Sequence, residues 1–396
     1  MTKTTLRHAL LGAGAALGLA LPALAEDFHG FDPNNVGPES PTAEALQAMV
    51  ADAMAVTPPR NGAQYVIGYT MWGGNSPFSL YNKQGLEALA ELAGVEVLTA
   101  DNEWDPNRNV ANVETFATRD VDYVINSLLD VQFAPAVKAP LDAQGIPLIA
   151  LDIPVPGSQW MGVDNARAGF RAGTYLAQTA QARWGEAAND ATLVIVSFPL
   201  VGPNGRLRSE SQVAGVASVL DLPEDKVIWL ETDATQEGGF AQMNNILTRL
   251  DPDAPLLIAA FSDEVLSGVV RAVSLGGMSD NALAVGMGGE MLELVATDPV
   301  FMASMSFFPE RYANAALPMA LASLAGQEVP TSVFAYSDLV TPANVCEVNS
   351  ELACSELPDW MAEDAEIDEA AYASFVESLH ANPYYDGFEM LLPPAQ

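Results

Sequence analysis

From Tyr65 onward, short apolar runs alternate with segments whose apolar residues recur at helical spacing. The runs Tyr65–Met71, Val95–Leu98, Tyr123–Asn126 and Leu148–Leu151 predict strands. Between them, Pro77–Ala93, Asn107–Thr118 and Phe133–Gln144 predict helices, with Gly145 as the last C-cap. After Trp160–Asn165 and a helix over Ala166–Trp184, the alternation begins again. Its strands are Leu193–Ser197, Val227–Leu230, Leu256–Ala260 and Ala284–Met287, and its helices Arg208–Leu220, Glu237–Leu250, Asp263–Leu275 and Met291–Ala296. A βαβ repeat requires right-handed crossovers and a parallel sheet covered on both faces. The chain therefore reads as α/β, with two doubly wound parallel-sheet lobes. A strand over Phe301–Phe308, a helix over Pro309–Ala325 and a strand over Val333–Tyr336 follow. If these return to the first lobe, three crossings join the lobes as a hinge around a cleft.

The stretch Tyr65–Phe78, YVIGYTMWGGNSPF, organises the first lobe. Gly73, Gly74 and Asn75 stop a buried strand, and Ser76-Pro77 opens a helix with a capping residue followed by proline at its favoured first position. The loop thus lies over free helix N–H groups at the carboxyl end of a strand, where open α/β sheets bind ligands.

Ahead of this unit, Lys3 and Arg7, the apolar stretch Ala9–Leu21 and the sequence Ala23-Leu24-Ala25 describe a cleavable secretory signal over residues 1–25. Residues 26–62 form an extension in which Leu46, Met49, Val50 and Met54 predict a short amphipathic helix ended by Pro58-Pro59. Loss of Lys3 and Arg7 takes the formal charge from −35 to −37. Such a charge repels nucleic acid and anionic lipid and suits a strongly solvated surface. The two cysteines, Cys346 and Cys354, predict one local disulfide in an exported chain. The three histidines are His8, His29 and His380, so none falls within the repeating unit. That argues against Ser-His-Asp, Cys-His and zinc chemistry, and no metal or cofactor is implied.

In order and spacing, several motifs resemble the type I periplasmic binding proteins, the ribose and galactose receptors of ABC importers. They are NSPF at Asn75–Phe78, LD at Leu151-Asp152, VDNARAG at Val163–Gly169, RLRS at Arg206–Ser209, SDE at Ser262–Glu264 and AVGMGG at Ala284–Gly289. The resemblance covers about Tyr65 to Tyr336. The export signal, and the absence of a helix-turn-helix or basic patch, separate the chain from repressors of the same fold. The implied architecture is an N-terminal lobe over 63–164 and 308–336, a C-terminal lobe over 165–307 and a tail over 337–396.

The resemblance further implies a clamshell that closes on a small sugar or polyol. Hydroxyl pairs need carboxylate, amide or guanidinium partners, and a sugar's C–H face needs an aromatic platform. Candidate contacts are Trp72, Asn75, Ser76, Phe78, Asn126 and Asp152 from the first lobe, and Arg208, Ser262, Asp263 and Glu290 from the second. Phe307 stands near the third crossing where the family carries a glutamine. Each has a plainer alternative: Phe78 as core, Trp72 as a lid, Ser76 and Asp263 as helix caps, Asp152 as a turn residue. Arg206 competes with Arg208 for the cleft.

Departures from the family pattern are Ile153 in place of an arginine, Ser262-Asp263 in place of Asn-Asp, and Gly288 in place of an aspartate. Fewer polar groups and more aromatic surface imply a smaller or less hydroxylated ligand, or other anchors among Glu231, Asp233 and Glu290. The expected function is a periplasmic, monomeric solute-binding protein that presents its ligand to an inner-membrane ABC permease and makes or breaks no bond. Two alternatives are a receptor feeding a sensor kinase or chemoreceptor, and an exported enzyme of doubly wound fold.

Overall fold

The computed structural model describes residues 28–395; the expected signal segment, 1–25, lies outside them. The first sheet takes β1 (Val66–Met71), β2 (Glu96–Asp101), β3 (Tyr123–Ser127), β4 (Leu148–Leu151) and β5 (Gln159–Val163). The second takes β6 (Thr192–Ser197), β7 (Val227–Glu231), β8 (Leu256–Ala260), β9 (Ala282–Gly288) and β10 (Phe301–Ser306). β11 (Ser332–Ala335) returns to the first sheet beside β5, and β12 (Asp338–Val340) closes the second beside β10. The orders are β11-β5-β4-β3-β1-β2 and β12-β10-β9-β8-β6-β7, and every pairing except β10–β12 is parallel.

Two strands escape the sequence reading. β5 contains Gly162 and follows a Pro-rich turn, so its apolar run is short. β12 is three residues long and lies within the expected tail, so the second sheet extends past the boundary drawn at residue 337.

Helices cover both faces: α1 (Ala43–Val56), α2 (Pro77–Ala93), α3 (Pro106–Ala117), α4 (Ala134–Gln144), α5 (Asn165–Trp184), α6 (Gly202–Ala217), α7 (Gln236–Leu247), α8 (Asp263–Leu275), α9 (Leu292–Thr297), α10 (Ala313–Leu324), α11 (Val345–Val348) and α12 (Glu369–His380). α1 packs on α2 and α10 through Leu46, Met49, Val50 and Ala53; Met54, expected on that face, is exposed instead. α6 starts six residues before the expected Arg208, because Gly202-Pro203 opens it and the Gly-Pro-Asn-Gly stretch forms its first turn.

That early start matters for the cleft, because α6 is clamped to α5 by close backbone contact. A Cβ on Gly173 would sit 2.0 Å from the Gln212 carbonyl oxygen, and one on Gly215 would sit 2.1 Å from that of Phe170. Only glycine permits this approach, and it fixes the wall from which Arg208 projects.

The chain crosses between sheets after β5, after β10 and between β11 and β12. At the crossings Phe308 takes a left-handed φ of 48° and stacks on Tyr336 at 5.3 Å. The tail packs on both lobes. Its first part carries the Cys346–Cys354 disulfide, with Cα atoms 5.0 Å apart. Asp364 and Glu369 pair with Arg171 and Arg167 of α5, and Leu379, Tyr385, Leu391 and Leu392 join the first lobe's core.

Candidate ligand site between the lobes

The carboxyl ends of both sheets face a common cavity of about 110 Å³, room for several water molecules. It opens into an outer chamber of about 400 Å³ lined by Asn75, Trp104, Leu129, Leu200 and Asp233. The first-lobe wall of the inner cavity carries Trp72, Ser76, Phe78 and Asp152; the second-lobe wall carries Arg208, Ser262, Glu290 and Phe307. Arg206 points elsewhere: it pairs with Glu210 one helical turn on and lies over the Tyr384 ring.

Asp152 stands one residue past β4, in a left-handed conformation with φ 55°. The Tyr312 hydroxyl donates to its Oδ1 at 3.1 Å. Burial pushes this carboxyl up to about 6, with Arg208 and Tyr312 opposing the rise. Tyr312 meets Phe78 edge-on at 5.5 Å, and Phe78 meets Trp72 at 5.7 Å. The aromatic residues thus form a connected platform on which one edge of a ligand can rest. The Ser76 hydroxyl makes no helix-capping bond although its backbone is in the capping conformation, so it stays available to the cavity.

Arg208 is buried, and its fixation is complete on three sides. Its Nε donates to Asn165 Oδ1 at 2.8 Å and its Nη1 to the Phe261 carbonyl at 3.0 Å. The guanidinium lies between the rings of Phe261 and Phe307, 4.5 and 4.6 Å from their centroids. Asn165 is held in turn by Asn204 at 2.6 Å. Burial lowers the Arg208 pKa, opposed by the fields of Asp152, Tyr312 and Glu290. Among the described residues no carboxylate comes within ion-pair distance of it. A buried cation and a buried carboxylate therefore face one another from opposite walls without touching.

Three expected contacts are placed otherwise. Asn126 is fully buried behind the wall, accepting from Thr70 at 3.0 Å and Asn109 at 2.8 Å. Asp263 turns inward, where the Ser304 hydroxyl at 2.7 Å and the Gly289 N–H at 2.8 Å satisfy it. Ser262, not Asp263, caps α8. In both cases nearby backbone or hydroxyl donors capture a polar side chain that strand-end position alone assigns to the cleft. Asn75 lies in the outer chamber and accepts from Trp104 Nε1 at 2.8 Å, so it positions an aromatic residue. Of the other anchors, Glu290 lines the cavity, Asp233 is exposed at the outer chamber and Glu231 is exposed away from the cleft.

Sequence reasoning missed Trp104, Phe198, Phe261 and Asn204, all of which line the cavity. A signal was present. Trp72, Phe198, Phe261 and Phe307 each stand one residue beyond β1, β6, β8 and β10, the position that looks into the crevice of an open parallel sheet.

Two sheets in matching order, three crossings and an aromatic cleft with charge on both walls define a two-lobed α/β protein with a cavity between its lobes. Residues 67–328 match the family model described as a periplasmic binding protein domain, and the chain belongs to that family, with the type I fold. Among curated relatives, the ribose import binding protein of Bacillus subtilis is 23% identical over 308 residues, covering 75% of this chain and 96% of the relative. That of Escherichia coli is 24% identical over 260 residues, covering 64% and 83%.

Among solved structures, a periplasmic solute-binding protein of an ABC transporter from Actinobacillus succinogenes, with bound D-allose, matches with a TM-score of 0.64. It is 22% identical, and the match covers 72% of this chain and all of that one. A solute-binding protein from Mycobacterium smegmatis with bound glycerol gives 0.62 at 20% identity, covering 77% of this chain and all of that one.

Proposed function

We propose that this protein captures one small neutral sugar or polyol between its lobes and presents it to an ABC permease in the inner membrane. The carrying observation is the unbridged pair Arg208 and Asp152, buried on opposite walls of an aromatic cavity. A hydroxyl between them can accept from the guanidinium and donate to the carboxylate, which joins the lobes and relieves both desolvated charges. An ionic ligand would balance one charge and oppose the other. The ribose import relatives, and neighbours holding D-allose, glycerol or myo-inositol, support this class.

On this reading the contacts are Trp72, Ser76, Phe78, Asp152, Arg208, Ser262, Glu290 and Phe307, and the task is binding without chemistry. The moving bodies are residues 63–164 with 308–336, and 165–307 with β12, in a periplasmic monomer. The test is thermal melting and calorimetric titration of the mature chain with D-ribose, D-allose, glycerol and myo-inositol. At least one should bind with 1:1 stoichiometry and raise the melting temperature. Silence from all four beside a clear response to a charged solute would overturn the assignment.

A further inference from the structure

Three carboxyl groups, Asp263, Glu264 and Glu290, crowd near Arg208, the single cation among the described residues that line the cavity. They are not equivalent. Asp263 is saturated by Ser304 and Gly289 and faces away from the cavity. Glu264 is half-buried at the passage to the outer chamber. Glu290 is 6% exposed and lines the cavity itself.

The two oxygens of Glu290 also differ. Oε1 accepts from the Glu264 N–H at 3.2 Å, while Oε2 is buried and has no hydrogen-bond partner. The carboxyl is folded back over Gly288, where a Cβ would lie 1.9 Å from Oε2; glycine at φ 130° makes that placement possible. No Lys, Arg or His among the described residues forms an ion pair with it. The charged and titratable groups that face it are Asp263 and Glu264 at the start of α8, Arg208 from α6, and Asp152 and Tyr312 across the gap.

An ionised carboxylate so placed leaves one oxygen desolvated and without a donor, which disfavours the charged form. A proton on that oxygen removes the charge and converts the acceptor into a donor. In agreement, burial, followed by the Asp263 field, holds Glu290 well above the usual carboxylate range.

We propose that Glu290 is a specificity-determining residue that meets the ligand as a neutral carboxylic acid, turning its Oε2–H from the closed position over Gly288 to a ligand oxygen in the cavity. The inference rests on the neutral-polyol reading of the site and deepens it. The second-lobe wall then offers donors, from Arg208 and Glu290, whereas the first-lobe wall offers the acceptor Asp152. The preferred ligand directs a carbonyl, ring or hydroxyl oxygen toward Glu290 and a hydroxyl hydrogen toward Asp152. A ligand with no oxygen at that end leaves the acid proton unpaired and binds less well.

Difference infrared spectroscopy of the ligand-free full chain against Glu290→Gln, at neutral pH, tests the protonation without needing a ligand. The difference should contain the C=O stretch of a protonated acid; a lost carboxylate doublet in its place overturns the proposal. The second arm measures affinity for whichever of D-ribose, D-allose, glycerol and myo-inositol binds. Glu290→Gln, which keeps a donor, should stay within about threefold of wild type at neutral pH, and Glu290→Ala should weaken binding by about tenfold or more.

Wild-type affinity should fall as pH rises through deprotonation of Glu290, and the Gln variant should lack that fall. A Gln variant as weak as the Ala variant, or a wild-type affinity that ignores the pH range over which the infrared band changes, overturns the donor role. If none of the four solutes binds, the polyol reading fails and the donor role with it, while the infrared result still reports the proton.

Discussion

Asp152 and Arg208 reach the same cavity from opposite walls, but they are held in different ways. Asp152 receives one side-chain hydrogen bond, from Tyr312, on a residue strained into the left-handed region. Arg208 is bonded to Asn165 and the Phe261 carbonyl and is sandwiched by two rings. The second-lobe wall is thus fixed by the protein's own bonds, while the first is an aromatic surface with one carboxylate held only by the Tyr312 hydroxyl and the Val163 N–H. Preorganised donors lose little freedom on binding and supply affinity; an underbonded carboxylate supplies selectivity, since only a hydrogen-bearing ligand group satisfies it.

Removing the built side of this contrast has the largest predicted effect. Arg208→Ala should weaken binding by about 100-fold, roughly 3 kcal/mol, in calorimetric titration. Arg208→Lys should rescue little of it, because an ammonium cannot fill the slot between two rings while serving Asn165 and a carbonyl. Asp152→Asn should weaken binding by about tenfold and yet stabilise the ligand-free protein at pH 7 by about 1–3 kcal/mol.

The sign follows from the carboxyl, which burial raises from 3.8 to about 6. The fold favours its protonated form, so that contribution to stability is full below about 4 and is lost as pH rises through about 6. Denaturant titrations across that range should slope downward with pH in wild type, and more weakly in the variant. Asn126→Ala should cost about 1–3 kcal/mol of stability and leave affinity unchanged, since its bonds to Thr70 and Asn109 lie behind the wall. Arg206→Ala should change both by less than about 0.5 kcal/mol. An Arg206 effect as large as that of Arg208 would break the distinction between them.

What the sequence reveals and what it hides divide along the same physical line. Periodicity locates α2 and α8 to the residue, because strand-end loops and capping residues bound them sharply. It misses β5 and β12, since a strand of five or three residues at the hinge owes its existence to the partner strand and not to its own pattern. Asp152, Trp72 and Phe78 reach the cavity from strand and helix ends, where a polar or aromatic residue is conspicuous, and Arg208 reaches it from within α6, conspicuous as a cation in an acidic chain. Asn126 and Asp263 occupy positions of the same kind and turn inward. Whether such a side chain serves the ligand depends on the local donors it can reach, here Asn109, Ser304 and Gly289, and those are set by tertiary packing. Asn165 and Asn204 are invisible for the same reason: their role is to orient Arg208 across two helices.

On the proposed reading, a single ligand oxygen is held jointly by Arg208 and Asp152. A crystal structure of the mature protein with the tightest-binding of the four solutes tests it most directly. The ligand should lie within the inner cavity, with one hydroxyl within hydrogen-bond distance of both side chains and its C–H face on Trp72 or Phe78. A ligand seated in the outer chamber beside Leu129 and Leu200, with Arg208 and Asp152 still facing each other across an unfilled gap, would contradict it.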